Sequence, residues 1–459
     1  MVVMKFGGTS VADQSAIERL IAIVRAQRQA DAQQEGGDAR GPIVVVSALS
    51  KVTDRLLGVA ANAGAGDIEG AITNLRELRQ RHLTVSKVVT DVVQREQVIQ
   101  FLDQQFDELE RIVQALAVLH EVSPRWLDTI AASGEVMSSR IVAAALTSHG
   151  LLAAWIDARR AVVTDGEHTA AAPLFPETTA ALMTHVDPTL AAGRIPVVGG
   201  FVGASQAGIT TTLGRGGSDY SAAIVGACLG ASEIQIWTDV DGMLTADPRI
   251  VPDPYVVPHL SFAEASELAY FGAKVLHPAT ILPAVEHDIP VRILNSRSPQ
   301  GTGSVITAGG SSEGTPVTAF ACKKDLTVID ITSSRMLMAY GFLRQVFEVF
   351  ETFRTAVDVV TTSEVSVSVT VDDRRQLPAI VEALSAFGEV STESEMALVC
   401  AVGDRLRTEP ETAARVVGVL EEVPLRMISQ AAARRNITVI MRQADLPHAM
   451  QRLHEEFFG

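Results

Sequence analysis

The sequence predicts an α/β protein, a mainly parallel sheet between helical layers followed by two ferredoxin-like βαββαβ units. Three observations carry this. Short apolar, β-branched runs alternate with long helical patterns as far as residue 306. A stretch rich in Gly, Ser and Thr, Ile306–Val317, then reads as a linker. Beyond it one order of strands and helices recurs, an internal repeat. At 459 residues the chain is long for a single core, which fits two or three domains.

The first strand is Val2–Phe6, entering a loop at Gly7-Gly8, with Thr9 or Ser10 expected to cap the next helix. Further strands are read at Pro42–Ser50, Arg194–Phe201, Glu233–Gly242 and Ile289–Ser296, with helices such as Ile17–Gln34, Val98–Leu119 and Ser138–Ser148 between them. Strands alternating with helices imply right-handed crossovers and a sheet covered on both faces. Ligands in such folds lie beyond the carboxyl ends of the strands, where Lys5, Ser47, Gly199-Gly200 and Thr238-Asp239 fall.

After the linker come strand Leu326–Ile331, helix Gly341–Phe353, strands Val357–Thr362 and Val365–Val371, and helix Leu377–Phe387. The order recurs as strand Ala397–Val402, helix Glu409–Glu421, strands Leu425–Gln430 and Asn436–Met441, and helix Leu446–Phe458. The expected domains are therefore 1–306, 317–390 and 391–459.

A net charge of −16 argues against a nucleic-acid surface, which needs a basic stripe, yet leaves room for a local cationic pocket. Cys228, Cys322 and Cys400 are odd in number and far apart, reading as thiols in a reducing compartment. No apolar h-region follows a basic start at the N-terminus, so a secretory signal is not expected, and the most apolar stretch, Ile141–Trp155, is too short and polar to span a membrane. A cytoplasmic location is expected. The ten histidines form no metal-like set.

Two stretches carry chemistry. In "MVVMKFGGTSV" (Met1–Val11), glycines before a helix let backbone N–H groups approach an anion, and Lys5 adds a positive charge; a plain strand-to-helix turn with a solvated lysine is the alternative. In "TTLGRGGSDYSAA" (Thr211–Ala223), Gly216-Gly217 offer donors at a helix start, and Arg215 supplies a planar fork suited to a carboxylate or phosphate. No Walker A loop, H-R-D catalytic loop or Rossmann glycine spacing occurs. A nucleotide kinase of another kind has to be considered.

Together "KFGGTS" (Lys5–Ser10), "SGE" (Ser133–Glu135), "TTLGRGGSDY" (Thr211–Tyr220), "WTDVDG" (Trp237–Gly242), "ADPR" (Ala246–Arg249) and "FGAKVLHPAT" (Phe271–Thr280) resemble the aspartate kinases of the amino-acid kinase superfamily. The likeness spans the chain, and the C-terminal repeats resemble paired ACT domains, with a strand at 317–322 expected to pair with the second. "GFLRQVFEVF" (Gly341–Phe350) and "VDVVTTSEVSVSVT" (Val357–Thr370) are similar to the first ACT domain of the single-polypeptide, lysine-sensitive type.

The resemblance implies transfer of the ATP γ-phosphoryl group, with Mg-ATP as co-substrate, to the side-chain carboxylate of L-aspartate. A carboxylate with a pKa of about 3.9 is already ionised at neutral pH and needs no general base. The site must instead cancel repulsion between two anions and align them. The resemblance gives Lys5 and Asp219 the catalytic places, Asp219 orienting Lys5, although helix capping is the alternative for Asp219. Arg215 is matched to the substrate's α-carboxylate and Glu135 to its ammonium, with Ser47, Thr53 and Ser218 as further contacts. Glu135 thereby speaks against an N-acetylated substrate, its alternative being a helix N-terminal acid. Lys5, Phe6, Gly7, Gly8, Gly216, Gly217, Thr238, Asp239, Leu244, Arg249, Lys274 and Val275 are matched to the nucleotide, Leu244 standing where many relatives carry tyrosine. No metal ligand is assigned.

In the first ACT unit, amides around Phe342 and Leu343 are matched to an effector carboxylate and Asp358 to its ammonium, with Ser363 and Glu364 nearby. Met336 and Met338 would line an apolar wall, and Ala339 stands where lysine-sensitive relatives often have serine. Feedback by lysine is expected, with threonine second, in a homodimer or higher homo-oligomer assembled through the ACT domains. The alternatives are another member of the superfamily, such as an acetylglutamate or glutamate kinase, and a catalytically silent ACT sensor of amino acids. No chain follows the repeats to hold a dinucleotide domain, so a fused dehydrogenase is not expected.

Overall fold

Val3, Met4 and Phe6 are wholly buried, which requires the Val2–Phe6 strand to lie inside a sheet covered on both faces. In the computed structural model, which describes residues 1–33, 41–272, 278–309, 316–333, 340–406, 409–430 and 435–459, it pairs in parallel with Ile43–Val46 and with Glu233–Thr238. Ile195–Gly199 lies beyond Ile43–Val46, and Ala153–Ile156 beyond that, both parallel. On the other side Val291–Asn295 runs parallel to Glu233–Thr238, and Ser304–Thr307 closes antiparallel to it. Ile306, expected in the linker, is thus a ladder residue. Residues 310–315 of that stretch lie outside the described ones.

Side chains alternate along a strand. Met4 and Phe6 therefore enter a core built with helices Gln14–Gln33, Val52–Gly64, Ile68–Val85, Val92–Leu119 and Pro124–Ser148. Lys5 faces the opposite side, towards helix Gly217–Leu229. Two boundaries depart from expectation. The first helix is capped by Asp13, whose Oδ1 accepts from the Ala16 amide at 2.9 Å, because Ser10 is engaged elsewhere through Ser296 Oγ at 2.8 Å. The helix expected at Ser138 begins at Pro124, a residue suited to a first helical turn because its missing N–H needs no partner there.

The chain divides into two compact units, Met1–Met243 with Leu276–Gly310, and Leu244–Val275 with Ser311–Gly459. The expected continuous domain 1–306 is therefore interrupted. The reason is packing: Ala246, Ile250 and Val251 share a core with Val317, Phe320, Leu453 and Phe457. Polar contacts reinforce it, with Thr245 Oγ1 2.9 Å from His454 Nε2 and Asn436 Nδ2 donating to Glu267 Oε2 at 2.7 Å.

The second unit's sheet is antiparallel and six-stranded, in the order Val360–Thr362, Ser366–Val371, Ala319–Thr332, Glu389–Val402, Asn436–Arg442, Leu425–Ser429. Its two central strands each run 14 residues and serve both repeats. Thr327–Thr332 pairs with Ser366–Val371, while Ala319–Lys323 pairs with Leu398–Val402, the register shifting after Lys323. Helix Phe342–Thr352 buries Phe342, Val346 and Phe350 at one-turn spacing against Ile329, Val367 and Leu384. Helix Leu446–Phe458 does the same for the other repeat with Leu446, Met450, Leu453 and Phe457. No described helix is long and apolar enough to cross a membrane.

Candidate active site

The Val2–Phe6 strand carries Lys5 to the carboxyl edge of the sheet, between Val45 and Ile236 of its neighbours. Its ammonium, only 7% exposed as a residue, lies 2.6 Å from Asp219 Oδ1. Asp219 sits in the first turn of helix Gly217–Leu229, whose N-cap Gly216 has φ 70°, a conformation that a side chain would disfavour. The helix start thus sets a carboxylate on the lysine, and its backbone N–H groups suit an anion bound beside that pair.

A cleft of about 600 Å³ opens beside this pair. Lys5 and Gly8 border it from the first strand and its loop, and Ser47, Lys51 and Thr53 from the next strand end and helix start. Asp128 and Glu135 come from helix Pro124–Ser148, and Thr212, Gly214, Arg215, Gly216, Gly217, Ser218 and Asp219 from the glycine loop. Most of the residues matched by sequence to the phosphates and the amino-acid substrate therefore share one cavity.

Glu135 is the most perturbed group there. Only 3% exposed, it has Oε2 buried with no hydrogen-bond partner. Burial pushes its pKa up to about 8, against the opposing pull of the Ala48 and Glu135 amides and the Lys5 charge. A carboxylate held this way needs a cation to be stably ionised. Arg215, by contrast, is exposed and has no acidic partner among the described residues.

Other expected contacts lie apart from the cleft lining. Phe6 is wholly buried and stacks on Trp237, with ring centroids 6.0 Å apart, so its side chain belongs to the core. The Gly7 amide donates to the Trp237 carbonyl at 2.9 Å, serving the sheet edge. Thr238 ends the adjoining strand and Asp239 follows it, Thr238 Oγ1 donating to Asp239 Oδ1 at 3.3 Å. Leu244 and Arg249 belong to the second unit, Leu244 bridging Val256 and Arg249 paired with Asp247 at 2.6 Å. Lys274 and Val275 lie outside the described residues.

Among the residues matched to an effector, Met336, Met338 and Ala339 also lie outside the described ones. Phe342 is buried in its lobe's core, and Leu343 and Glu364 are exposed. Ser363 closes a turn through Ser366 Oγ at 2.7 Å. Asp358 is already occupied: Lys323 Nζ lies 2.6 Å from its Oδ1 and 4.9 Å from the Tyr270 ring centroid. Burial raises the Asp358 pKa despite that lysine.

Asp128, Thr169 and Thr212 border the cleft without having been singled out by sequence. A signal existed for Asp128. It lies about two helical turns before Glu135, on the same face, once the helix is extended back to Pro124.

The amino acid kinase family model matches residues 1–295, and an ACT domain model matches residues 399–457. Aspartokinase 1, chloroplastic, of Arabidopsis thaliana is 35% identical, covering 99% of this chain and 80% of its own length. The lysine-sensitive aspartokinase 3 of Escherichia coli is 34% identical, covering 100% and 99%. The structure of E. coli aspartokinase III with aspartate and ADP superposes with TM-score 0.82 at 33% identity, covering all of both chains. Its complex with lysine and aspartate gives 0.83 over the same coverage.

Proposed function

The chain belongs to the amino acid kinase family and, within it, to the aspartokinases, and from that premise we propose that its cleft phosphorylates the side-chain carboxylate of L-aspartate with ATP, giving 4-phospho-L-aspartate. One observation carries the assignment. Around a single cavity stand a buried carboxylate with one oxygen unpaired, Glu135, an arginine without an acidic partner among the described residues, Arg215, and the Lys5–Asp219 pair. A zwitterionic amino acid with an extra carboxylate meets all three demands: ammonium on Glu135, α-carboxylate on Arg215, and the reacting carboxylate towards Lys5. An N-acylated amino acid would leave Glu135 facing a neutral amide.

The acceptor arrives ionised, so the protein moves no proton before transfer. Lys5 and the donors at the start of helix Gly217–Leu229 stabilise charge on the transferring phosphoryl oxygens. Asp219 fixes the Lys5 ammonium, while Ser47, Thr53 and Ser218 complete the seat of the amino acid. No three acidic, His or Cys side chains converge on a metal position among the described residues. Mg²⁺ would come as Mg-ATP, keeping much of its own hydration and neutralising phosphate charge. The roles of Thr238, Asp239, Leu244, Arg249, Lys274 and Val275 towards the nucleotide rest on the resemblance.

The effector proposed is lysine, threonine being second, with the C-terminal repeats assembling a homodimer or higher homo-oligomer. The E. coli relative is named for lysine sensitivity. A coupled ADP-release assay with hydroxylamine trapping of the acyl phosphate tests the catalytic reading. L-Aspartate is expected to be the preferred acceptor over L-glutamate and N-acetyl-L-glutamate; faster turnover of the N-acetylated acceptor overturns the assignment.

A further inference from the structure

Asp128 is a carboxylate 1% exposed that no catalytic role accounts for. All of its partners are donors. His168 Nδ1 lies 2.6 Å from Oδ2, the Thr169 amide 3.1 Å from both oxygens, and Thr212 Oγ1 2.5 Å from Oδ1. An acceptor-only group with two oxygens satisfies this set, whereas an amide would turn its NH₂ towards one of the donors. Burying a carboxylate is unfavourable unless it is so engaged, so the site is specified rather than incidental.

What Asp128 joins is the informative part. It shares a helix face with Glu135. Thr212 ends the strand leading into Gly214 and Arg215, and the Ala171 amide donates to the Thr212 carbonyl at 2.9 Å. Thr169 holds φ 72°, an uncommon conformation for a β-branched residue, with its amide fixed by Asp128. Its carbonyl would lie only 3.2 Å from a Cβ added at Gly214, so the 168–171 segment presses on the turn before Arg215. Asp128, Thr169 and Thr212 border the same cleft as Glu135 and Arg215.

We propose that Asp128 is a positioning residue for amino-acid recognition, tying the Glu135 helix to the Arg215 loop through Thr212 and Thr169 and thereby fixing the span between the ammonium and α-carboxylate anchors. This rests on the aspartate reading of the cleft. Aspartate has both groups on one carbon, so the anchors have one correct separation, and a misplacement of the order of 1 Å is expected to lower effective binding by ~10- to 100-fold. The nucleotide end, approached from Lys5 and Gly216, is untouched by the linkage.

The test compares the parent with Asp128→Asn, Thr212→Val, Thr212→Ser and the Asp128→Asn/Thr212→Val double variant, by steady-state kinetics, calorimetric aspartate binding and thermal melting. Asp128→Asn and Thr212→Val are each expected to raise the aspartate KM and Kd by about tenfold or more, leaving the ATP KM within about twofold. Thr212→Ser keeps the hydroxyl and should stay near the parent. The double variant should fall well short of the product of the two single effects, as expected for one shared linkage. Parental aspartate affinity in Asp128→Asn and Thr212→Val, or equal losses for both substrates alongside a lowered melting temperature, overturns the proposal. Should Asp128→Asn not fold, Thr212→Val against Thr212→Ser decides alone. A parent that does not phosphorylate aspartate sinks the aspartate reading itself, and the proposal with it.

Discussion

Among the described residues, two lysine–aspartate pairs have the same length, Lys5–Asp219 and Lys323–Asp358, each 2.6 Å apart. Their surroundings differ. Lys5–Asp219 stands at the edge of a cleft of about 600 Å³, at a helix start, beside a buried carboxylate with one oxygen unpaired. Lys323–Asp358 lies within the second unit at a register shift of its sheet, with the Tyr270 ring over the ammonium and Asp372 3.8 Å away. The first pair leaves its lysine facing a space where charge can develop, while the second closes on itself. An ion pair therefore announces neither catalysis nor structure. The space beside it and the polarity of what lines that space decide.

The largest expected effect breaks the symmetry between the pairs. Lys5→Ala should lower kcat by about 10³-fold with little change in melting temperature, because its charge acts mainly in the transition state. Lys323→Ala should do the reverse, lowering the melting temperature through the carboxylate left buried while sparing uninhibited kcat. Parallel kinetics and melting curves for the two variants would erase the distinction.

Next, Glu135→Gln should raise the aspartate KM by ~10²-fold and leave the ATP KM near parental, since a neutral amide pairs poorly with an ammonium. With a free-enzyme pKa of about 8, the ionised form that binds the ammonium is depleted below that pH. The aspartate KM should therefore climb by up to about tenfold per unit as pH falls from 8, and the climb should vanish in Glu135→Gln. A flat profile in the parent would show that Glu135 does not meet the substrate.

On the regulatory side, Asp358→Ala removes the acid and leaves the Lys323 ammonium facing the same place. Lysine inhibition should shift to concentrations ~10-fold higher with uninhibited turnover intact, measured as inhibition curves on the ADP-release assay. An unchanged curve would leave Asp358 a purely internal partner of Lys323.

The smallest effect is on stability. The folded pKa of Glu135 lies above the ordinary 4.5, so its neutral form stabilises the fold at low pH and that contribution is lost as pH rises towards 8. Glu135→Gln should thus melt a few degrees higher than the parent at pH 8.5, and with the parent at pH 4.5 or below, read by calorimetry.

Much of this site is legible in the chain because glycines, a lysine and an arginine must lie next to one another in sequence to build a phosphate loop. "KFGGTS" and "GRGGSD" advertise Lys5, Arg215 and Asp219 for that reason. Asp128 is different. Its partners His168, Thr169 and Thr212 lie far from it in sequence, and its one signal, a place two turns before Glu135 on the same face, emerges only once the helix is extended back to Pro124. The long Ala319–Thr332 strand was hidden similarly, since the polar Lys323-Lys324-Asp325 step interrupts its apolar alternation where the register shifts.

By itself the sequence determined the alternating strands and helices, the repeat, and the lysine, glycines and arginine of the cleft, all of which follow from local periodicity and turn chemistry. Only the tertiary structure decided which unit owns residues 244–275, that Asp358 already holds a lysine, and that Glu135 is buried with one oxygen unpaired. Each of those depends on which distant segments exclude water from a side chain, and the energy of a charge or an apolar surface is set by that exclusion rather than by its neighbours along the chain.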